Sequence, residues 1–401
     1  MTVNCKKKHT GFGLAIILVS FLVIIIQRWL LQNEFAQRLQ VPRRTEVNFT
    51  IEDRERTDDQ TKDAPLKVIL LYTLWFGRRK WPGMASGLDA NVTCGEQICK
   101  FTHKQRELEV SDAVVFHGRD LPSVSHMKNI EKRKPSKQRW VFYVLESPIN
   151  THLHFASLNG LFNWTMTYRI DSDIFFPYGY YTRSRLNPDE ISSETTNYAD
   201  GKDKLAVWIS SHCGTLRDQF VRKLLKYIQI DIFGSCARQF NQHEPCRKSS
   251  PECTKKLQHY KFYFAFENSF CVDYITEKYW DIPLNQNIVP VVMGGASYEN
   301  EQLAVPGSFI NVANFDSVEA LANYLLYLNA NNTAYNEYFW WKKEFKVVSK
   351  VWDSWPCWLC HALNNNSLPA KIYNNMDDFW GRAKNCGRNE EKIRKLIAGV
   401  D

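Results

Sequence analysis

The residue types best suited to chemistry follow a run of aromatic side chains at residues 262–266. That run predicts a buried strand, after which Asn268 lies in a polar loop. We expect a helix to follow, with Asp273 as its N-cap. Such a junction directs backbone N–H groups and the positive end of the helix dipole to one point, so it suits a phosphate, and Tyr274 and Lys278 would add a hydroxyl and a charge. An ordinary buried strand followed by an amphipathic helix explains the spacing equally well.

Two further charged groups stand beside predicted strands. Glu146 follows a buried strand predicted over 139–145, the place where α/β domains put ligand groups. A second strand, 205–209, leads through a phosphate-compatible turn into a helix over 216–227, near the start of which stands Arg217. The helix dipole disfavours a cation there unless an anion lies between them. Taken alone, each residue is more simply an ordinary surface side chain.

The elements that must position these groups are short apolar strands and helices. Further strands are predicted over 66–72, 112–118, 228–233, 288–293 and 308–312, and further helices over 318–328 and 339–345. A chain of 401 residues with 44% hydrophobic content can bury a large core, and its length favours two domains. The polar stretch 187–203 is the expected link between them.

The N-terminal region predicts a membrane anchor. Residues 11–26 form an apolar run that extends to residue 31, and Lys6, Lys7 and Lys8 precede it. A cleavable signal peptide is the competing interpretation, but no small-x-small cleavage site follows. We therefore expect a type II signal-anchor, then a polar stem over 32–65. Five sequons agree with passage through the secretory pathway, at Asn48, Asn91, Asn163, Asn331 and Asn365.

Charge excludes one class of function, and two patterns raise the question of a metal. The net charge of +8 is spread along the chain, with no zinc-finger spacing or RNA-binding signature, so we expect no nucleic-acid partner. Asp171 and Asp173 form an Asp-x-Asp triplet, which holds Mn²⁺ or Mg²⁺ in many sugar-nucleotide enzymes. Cys236, Cys246 and Cys253 also cluster, but a lumenal chain with eleven cysteines favours disulfides over zinc.

The stretch Glu267-Asn268-Ser269, followed by Asp273-Tyr274-Ile275-Thr276-Glu277-Lys278, closely resembles the donor-binding motif of the α1,3-fucosyltransferases. These are inverting, GDP-fucose-dependent enzymes of glycosyltransferase family 10. The resemblance covers about residues 66–360 and is also dense at 146–148 and 162–179.

The resemblance implies a role for each candidate. It sets Asn268, Tyr274, Glu277 and Lys278 around GDP, with Glu277 nearer the ribose, and it brings Arg217 to the donor pyrophosphate. Glu146 would be the catalytic base. The resemblance also implies that the Asp-x-Asp triplet holds no essential metal and that the enzyme requires no cofactor, with Mn²⁺ at most stimulatory. One departure from the family pattern is Pro283, which should shorten or kink the donor-site helix.

The resemblance also implies an α/β fold of the GT-B type, with two Rossmann-like domains facing a nucleotide-sugar cleft. The expected divisions are a cytosolic tail over 1–10, an anchor over 11–31, a stem over 32–65, an acceptor-side domain over 66–190, a donor-binding domain over 204–350 and a C-terminal segment over 351–401 that packs back on the first domain. Cys357 and Cys360 would be disulfide-bonded to the first domain, where Cys94 and Cys99 are the natural partners. A redox role for the isolated Cys-x-x-Cys is the alternative, but no thioredoxin-like strand precedes it.

The function so implied is transfer of L-fucose from GDP-β-L-fucose, with inversion, to the 3-hydroxyl of a GlcNAc in an N-glycan core or a Lewis-type antenna. The enzyme would lie in the Golgi membrane with its catalytic domain in the lumen. Transfer to protein Ser or Thr hydroxyls, a metal-dependent transferase using the Asp-x-Asp triplet and a catalytically silent Golgi glycan-binding protein are the alternatives. The choice of acceptor and the oligomeric state stay open.

Overall fold

The first of two parallel sheets forms the N-terminal part of the computed structural model, which describes residues 66–84, 89–151, 154–184, 196–242, 246, 250–365, 368 and 371–399. Its strands are β1 (Lys67–Leu71), β2 (Asp89–Cys94), β3 (Gln97–Thr102), β4 (Ala113–His117), β5 (Arg139–Val144), β6 (Trp164–Thr167) and β7 (Ile174–Phe175). They lie in the order β2-β3-β1-β4-β5-β6-β7, and all pairs are parallel except β2 with β3. Strands β4 to β6 are almost wholly buried, as expected of parallel strands covered on both faces.

The second sheet is parallel throughout. Its strands are β9 (Lys204–Ile209), β10 (Asp231–Phe233), β11 (Tyr260–Phe266), β12 (Val289–Met293) and β13 (Ile310–Asn311), in the order β10-β9-β11-β12-β13. A separate antiparallel pair consists of β8 (Gly179–Arg183) and β14 (Phe345–Ser349). The architecture is therefore mixed α/β with parallel sheets, and the described residues all belong to one compact unit.

Short helices connect and cover these strands. They are α1 (Val124–Glu131), α2 (Pro148–Thr151), α3 (Leu216–Leu224), α4 (Pro251–Leu257), α5 (Glu277–Trp280), α6 (Ile282–Asn285), α7 (Val318–Ala330), α8 (Asn332–Glu337), α9 (Trp355–Asn364), α10 (Met376–Trp380), α11 (Arg382–Asn385) and α12 (Glu390–Ala398). None of the helices among the described residues is long and apolar enough to cross a membrane. The predicted anchor and stem, and the sequon at Asn48, lie outside the described residues.

Two sequence-based expectations about the helix after β11 have different outcomes. The prediction that Asp273 caps this helix is wrong: Asp273 has a left-handed backbone with φ of 58°, and the helix begins at Glu277 behind the N-cap Thr276. The side chain of Thr276 accepts a hydrogen bond from the backbone N–H of Lys278 at 3.4 Å, which a β-extended cap residue can do and Asp273 cannot. The expected interruption is confirmed, because the helix ends at Trp280 and α6 begins at Ile282 with Pro283 in its first turn.

The C-terminal segment crosses from the first sheet to the second. Tyr373 donates its backbone N–H to Phe162 beside the first sheet, and the indole N–H of Trp380 donates to Thr151 at the end of α2. The last helix, α12, lies instead against α3, where Lys223 donates to the backbone oxygen of Ile397 at 2.7 Å. The end of the chain therefore contacts both sheets.

All ten cysteines in the described part of the chain form disulfides. The four cysteines that the resemblance had linked pair as Cys94–Cys357 and Cys99–Cys360. The other bonds are Cys213–Cys236, Cys246–Cys253 and Cys271–Cys386. The cluster near residues 236–253 therefore consists of disulfide cysteines and not of zinc ligands.

The sequons differ in their surroundings. Asn91 and Asn365 are exposed, and Asn331 caps α8. Asn163 is only 7% exposed, and its amide nitrogen donates to the backbone oxygen of Lys371 at 2.9 Å. Because an N-glycan needs an asparagine at the surface, the burial of Asn163 argues against this candidate acceptor.

Candidate active site

Glu146 stands two residues beyond the end of β5, half-buried at the carboxyl edge of the first sheet. The amide of Asn150, one turn later in α2, donates to its carboxylate at 3.4 Å. The hydroxyl of Tyr178 donates to the backbone oxygen of Leu145 at 2.5 Å and so fixes the chain directly before Glu146. A half-buried carboxylate with one weak donor keeps free lone pairs, as a proton acceptor needs.

The loop and helix after β11 form a charged cluster around Glu267. This carboxylate is 0% exposed and accepts hydrogen bonds from the backbone N–H and hydroxyl of Thr276, at 2.7 and 2.9 Å, and from the ammonium of Lys278 at 3.3 Å. Burial raises the pKa of Glu267, and the charge of Lys278 opposes that rise. Glu267 is thus a buried acid that keeps Lys278 in place.

Lys278 points into the same cluster with 20% of its side chain exposed. Its ammonium also donates to the hydroxyl of Thr276 at 2.8 Å and approaches Glu277 at 3.5 Å. Burial lowers the pKa of Lys278, but the carboxylates of Glu267 and Glu277 outweigh it, so the net pKa is raised. Lys278 is therefore a fixed cation at neutral pH, suited to an anionic ligand.

Tyr274, in the loop after β11 of the second sheet, packs against Tyr168, which follows β6 of the first sheet. Its side chain is 2% exposed, and its ring centre is 4.9 Å from that of Tyr168. Burial, and then the charges of Glu146 and Glu267, raise the pKa of Tyr274 well above the usual value, so the phenol stays protonated. Two polar atoms nearby, the hydroxyl of Tyr168 and the amide oxygen of Asn268, are buried with no partner among the described residues.

Arg217 lies in the first turn of α3, close enough to Glu267 for their charges to interact. Its guanidinium is buried, and it donates to the backbone oxygens of His212 at 2.8 Å and Phe266 at 3.1 Å. Burial lowers the pKa of Arg217, whereas the negative charges of Glu267 and Asp218 raise it. The arginine therefore joins the turn after β9 to the end of β11, and a second cation lies near Lys278.

A direct hydrogen bond links the two edges. The hydroxyl of Ser147, next to Glu146, donates to the hydroxyl of Ser269 at 2.8 Å, and both side chains are buried. Ser269 in turn follows Asn268. The structure thus brings Glu146, Asn268, Tyr274, Lys278 and Arg217 to one region, and Glu277 lies there through its contact with Lys278.

The two aspartates of the Asp-x-Asp triplet serve different neighbours. Asp171 pairs with the guanidinium of Arg169 at 2.6 Å, and Asp173 binds Lys371 at 2.7 Å and the hydroxyl of Tyr373 at 2.8 Å. Each carboxylate therefore has its own cation. Among the described residues, the candidate metal cluster that the geometry yields is Cys213, Asp218 and Cys236, whose two cysteines are disulfide-bonded.

Sequence reasoning missed several residues that build this region: Ser147, Tyr168, Tyr178, Glu267 as the buried anion, Ser269 and Thr276. A partial signal for Glu267 was available, because a carboxylate that is buried at the end of a strongly apolar strand needs a cation or hydrogen-bond donors nearby. No such signal exists for Ser147 and Ser269, whose contact joins residues 122 positions apart.

Comparison with known proteins assigns the chain to a family. A model described as "Fucosyltransferase, N-terminal" matches residues 64–179, and one described as "Glycosyltransferase family 10 (fucosyltransferase) C-term" matches residues 199–380. The chain is 30% identical to an alpha-(1,3)-fucosyltransferase C of Drosophila melanogaster, over 86% of this chain and 84% of that protein. The chain belongs to glycosyltransferase family 10, the fucosyltransferases.

Other similarities within family 10 differ in strength. The chain is 35% identical to a 3-galactosyl-N-acetylglucosaminide 4-alpha-L-fucosyltransferase of Bos taurus, over 77% of this chain and 80% of that protein. A solved structure titled "Crystal Structure of alpha1,3-Fucosyltransferase with GDP-fucose" covers 80% of this chain and 97% of its own at 15% identity, with a TM-score of 0.45. Membership of the family therefore rests on the sequence similarities.

Proposed function

We propose that this protein transfers L-fucose from GDP-β-L-fucose to the 3-hydroxyl of a GlcNAc in a glycoprotein glycan, with inversion at the fucose carbon. The observation that carries the proposal is the meeting of two chemically different groups in one region. A half-buried carboxylate, Glu146, lies on the first sheet, and a fixed cation, Lys278, follows the second. Membership of family 10 and the name of the Drosophila relative support the same reaction.

In the proposed mechanism the acceptor hydroxyl attacks the fucose carbon in line with the departing GDP. Glu146 takes the hydroxyl proton, for which its lone pairs are available. Lys278 and Arg217 balance the negative charge that grows on the leaving pyrophosphate, and the protonated Tyr274 can donate to it. Asn268 and Glu277 are the remaining donor contacts, with Glu277 nearer the ribose. The reaction needs no metal ion in this proposal, although Mn²⁺ could stimulate it.

The finer architecture and location are part of the same proposal. We infer a GT-B arrangement in which the acceptor-side domain spans 66–190, the donor-binding domain spans 204–350, and the nucleotide-sugar lies between them. An anchor over 11–31 would hold the enzyme in the Golgi membrane as a single-pass type II protein. The apolar run behind three lysines supports that location.

A second linkage has support from one relative. The Bos taurus protein is named as a 4-alpha-L-fucosyltransferase, so transfer to the 4-hydroxyl of GlcNAc is the alternative for this chain. The two reactions give products of the same mass, which linkage analysis separates.

The test is incubation of the protein with GDP-fucose and two acceptors, a trimannosyl N-glycan core and N-acetyllactosamine. Because the 4-hydroxyl of every GlcNAc in these two is already substituted, the β1,3-linked isomer of N-acetyllactosamine, whose 4-hydroxyl is free, serves separately for the 4-linkage. Mass spectrometry would detect the added deoxyhexose, and NMR would give the linkage and the anomeric configuration. We expect an α-linked fucose on the 3-hydroxyl of a GlcNAc in at least one acceptor. Binding of GDP without transfer to either glycan would contradict the proposal and favour a protein acceptor or a silent glycan-binding protein.

A further inference from the structure

Residues 381–389, here called the C-terminal strap, contact both edges of the candidate site. The strap consists of α11 and the turn that leads to α12. It begins directly after residue 380, where the match to the C-terminal family model ends. It therefore lies outside the motifs that identify the family.

One side of the strap pairs with the loop between β11 and α5. The backbone N–H of Val272 donates to the backbone oxygen of Asn385 at 2.8 Å. The disulfide Cys271–Cys386 lies directly beside this bond, and its two cysteines form an antiparallel bridge. The strap thus pairs with the loop as in an antiparallel sheet, between the candidate donor contacts at residues 268 and 274.

The side chain of Asn385 contacts the first sheet through Arg169. Arg169 is 9% exposed, and its guanidinium donates to the amide oxygen of Asn385 and to the backbone oxygen of Phe379 at 2.5 Å. It also donates to the two carboxylate oxygens of Asp171, at 2.8 and 2.6 Å. A buried cation must be paired and hydrogen-bonded, and Asn385 is one of the acceptors that hold this one.

The orientation of the Asn385 amide follows from its other contacts. The side chain is 5% exposed, and its nitrogen donates to the backbone oxygens of Gly381 at 2.8 Å and of Asp378 at 3.2 Å. The amide oxygen must therefore face Arg169. Asn385 thus accepts from the first sheet with its side chain and from the loop after β11 with its backbone.

Arg169 lies in the same row as the candidate base. β5 and β6 are parallel neighbours, and Val144 pairs with Thr167 at their carboxyl ends. Glu146 and Arg169 each follow two residues after that pair. Because neighbouring strands are about 4.8 Å apart, the two residues leave the edge of the sheet side by side.

The loop between β11 and α5 is consequently tied to the first sheet at two points. Ser269 contacts Ser147 directly, and Val272 is joined to Arg169 through Asn385. A single tie leaves a loop free to turn about it, whereas two ties fix both its distance and its orientation.

We propose that Asn385 is a positioning residue for fucose transfer, which holds the loop between β11 and α5 in a fixed place relative to Glu146. The inference rests on the proposed function, because it adds a residue to that reaction. Asn385 touches neither donor nor acceptor. Its loss slows the transfer step, for which base and leaving group must be aligned, and leaves GDP binding beside Lys278 intact.

The test compares Asn385→Leu, Asn385→Asp and a matched control. Both variants lose the bonds of the amide nitrogen, but only Asn385→Asp keeps an oxygen for Arg169. The control is Asn311→Leu, which changes another buried asparagine, 8% exposed, whose side chain accepts from the backbone N–H of Ala313 at 3.0 Å. Calorimetry gives the affinity and the number of GDP sites, so that kcat is expressed per GDP-binding molecule. Thermal unfolding records the stability of each variant.

We expect kcat of Asn385→Leu to fall roughly 10- to 100-fold, the effect of a small misalignment of the reacting groups. Its GDP affinity should stay within about twofold of wild type. Asn385→Asp should have a kcat within about threefold of wild type, and Asn311→Leu should lower the melting temperature by a similar amount and keep the wild-type kcat. Equal kcat values in Asn385→Leu and Asn385→Asp, or an equal fall in Asn311→Leu, would overturn the proposal.

Failure of the proposed function would look different, because the wild-type protein would then transfer fucose to neither acceptor. In that case hydrogen exchange decides the role of Asn385. The backbone N–H of Ile170 donates to Asp273 at 3.3 Å, and that of Val272 donates to Asn385, so both report on the contact between the two edges. Faster exchange of both in Asn385→Leu than in Asn385→Asp would still support the positioning role, and equal exchange would overturn it.

Discussion

Among single residues, Glu267 explains why the cation of the candidate site stays charged and in place. A wholly buried carboxylate is costly unless it is paired and hydrogen-bonded, and here Thr276 and Lys278 supply both. The sequence pattern identified Lys278 as a ligand group for a phosphate. It could not show that the position of Lys278 depends on Glu267, because the pairing requires the helix to begin at Glu277 rather than after Asp273.

The first prediction separates the stability role of Lys278 from its binding role. Lys278→Met leaves Glu267 buried without its cation and should lower the free energy of unfolding by about 3–5 kcal/mol. The double variant Lys278→Met/Glu267→Gln should recover most of that stability, because neither buried charge remains. GDP affinity, measured by calorimetry, should stay reduced in both. Wild-type GDP affinity in the double variant would remove Lys278 from the donor site.

The second prediction concerns His117, buried among aromatic rings. Burial lowers the pKa of His117 below its usual 6.5, although Asp120 opposes the shift. The unfolded chain then binds a proton more readily than the folded one, so stability is complete above pH 6.5 and falls as pH decreases below it. The slope approaches about 1.4 kcal/mol per pH unit. Denaturant unfolding between pH 5 and 8 should show a shallower dependence in His117→Asn than in wild type; equal slopes would contradict this account.

At the scale of elements, the apolar runs predicted the central strands well. The strands predicted over 139–145 and 262–266 appear as Arg139–Val144 and Tyr260–Phe266. A parallel strand covered on both faces must be apolar along its whole length, so the apolar run marks the strand directly. The hairpin of β2 and β3 was missed, since its residues alternate between exposed and buried and include few strong strand formers. The segment 339–345, predicted helical, forms a 3₁₀ turn and the start of β14, whose pairing with β8 is non-local.

The third prediction tests whether the segment before β8 positions the candidate base. Tyr178→Phe removes the hydroxyl that holds Leu145 and that also hydrogen-bonds Tyr274, so kcat should fall several-fold, with a smaller rise in the KM for GDP-fucose. The matched control is Tyr181→Phe, which also removes a hydroxyl that donates to a backbone oxygen, that of Glu301. Both variants should lose about 1 kcal/mol of stability. Equal kcat values in the two variants would show that Tyr178 has only a structural role.

At the scale of the whole molecule, the disulfide Cys271–Cys386 joins the C-terminal segment to the loop between β11 and α5, which carries Asn268 and Tyr274. In the chain-entropy relation a loop of 115 residues contributes about 5 kcal/mol and one of 7 residues about 2. Replacing Cys271 and Cys386 by Ser should therefore lower the melting temperature more than replacing Cys246 and Cys253. Only the first pair should weaken GDP binding, because Cys271 lies between Asn268 and Tyr274. An equal loss of GDP binding in both double variants would contradict this assignment.

The candidate base follows a strand of the first sheet and the donor cluster follows a strand of the second, so the proposed reaction requires these two edges to meet. Family resemblance named Glu146 and Lys278 from separate motifs, but several contacts bring them together, among them the packing of Tyr168 against Tyr274 and the Ser147–Ser269 hydrogen bond. The hydrogen bond spans 122 positions and leaves no periodic pattern, so it could not be predicted from the sequence.

The most direct test is the rate of fucose transfer by Glu146→Gln, measured together with GDP affinity. The control is Glu109→Gln, which changes an exposed carboxylate in the 3₁₀ helix that follows β3. We predict that Glu146→Gln binds GDP as wild type does and loses 10²- to 10⁴-fold in kcat, the usual cost of a missing general base. Glu109→Gln should have the GDP affinity and the kcat of wild type. Full transfer activity in Glu146→Gln, or a loss of GDP binding equal to its loss of rate, would contradict the claim that the first sheet supplies the base.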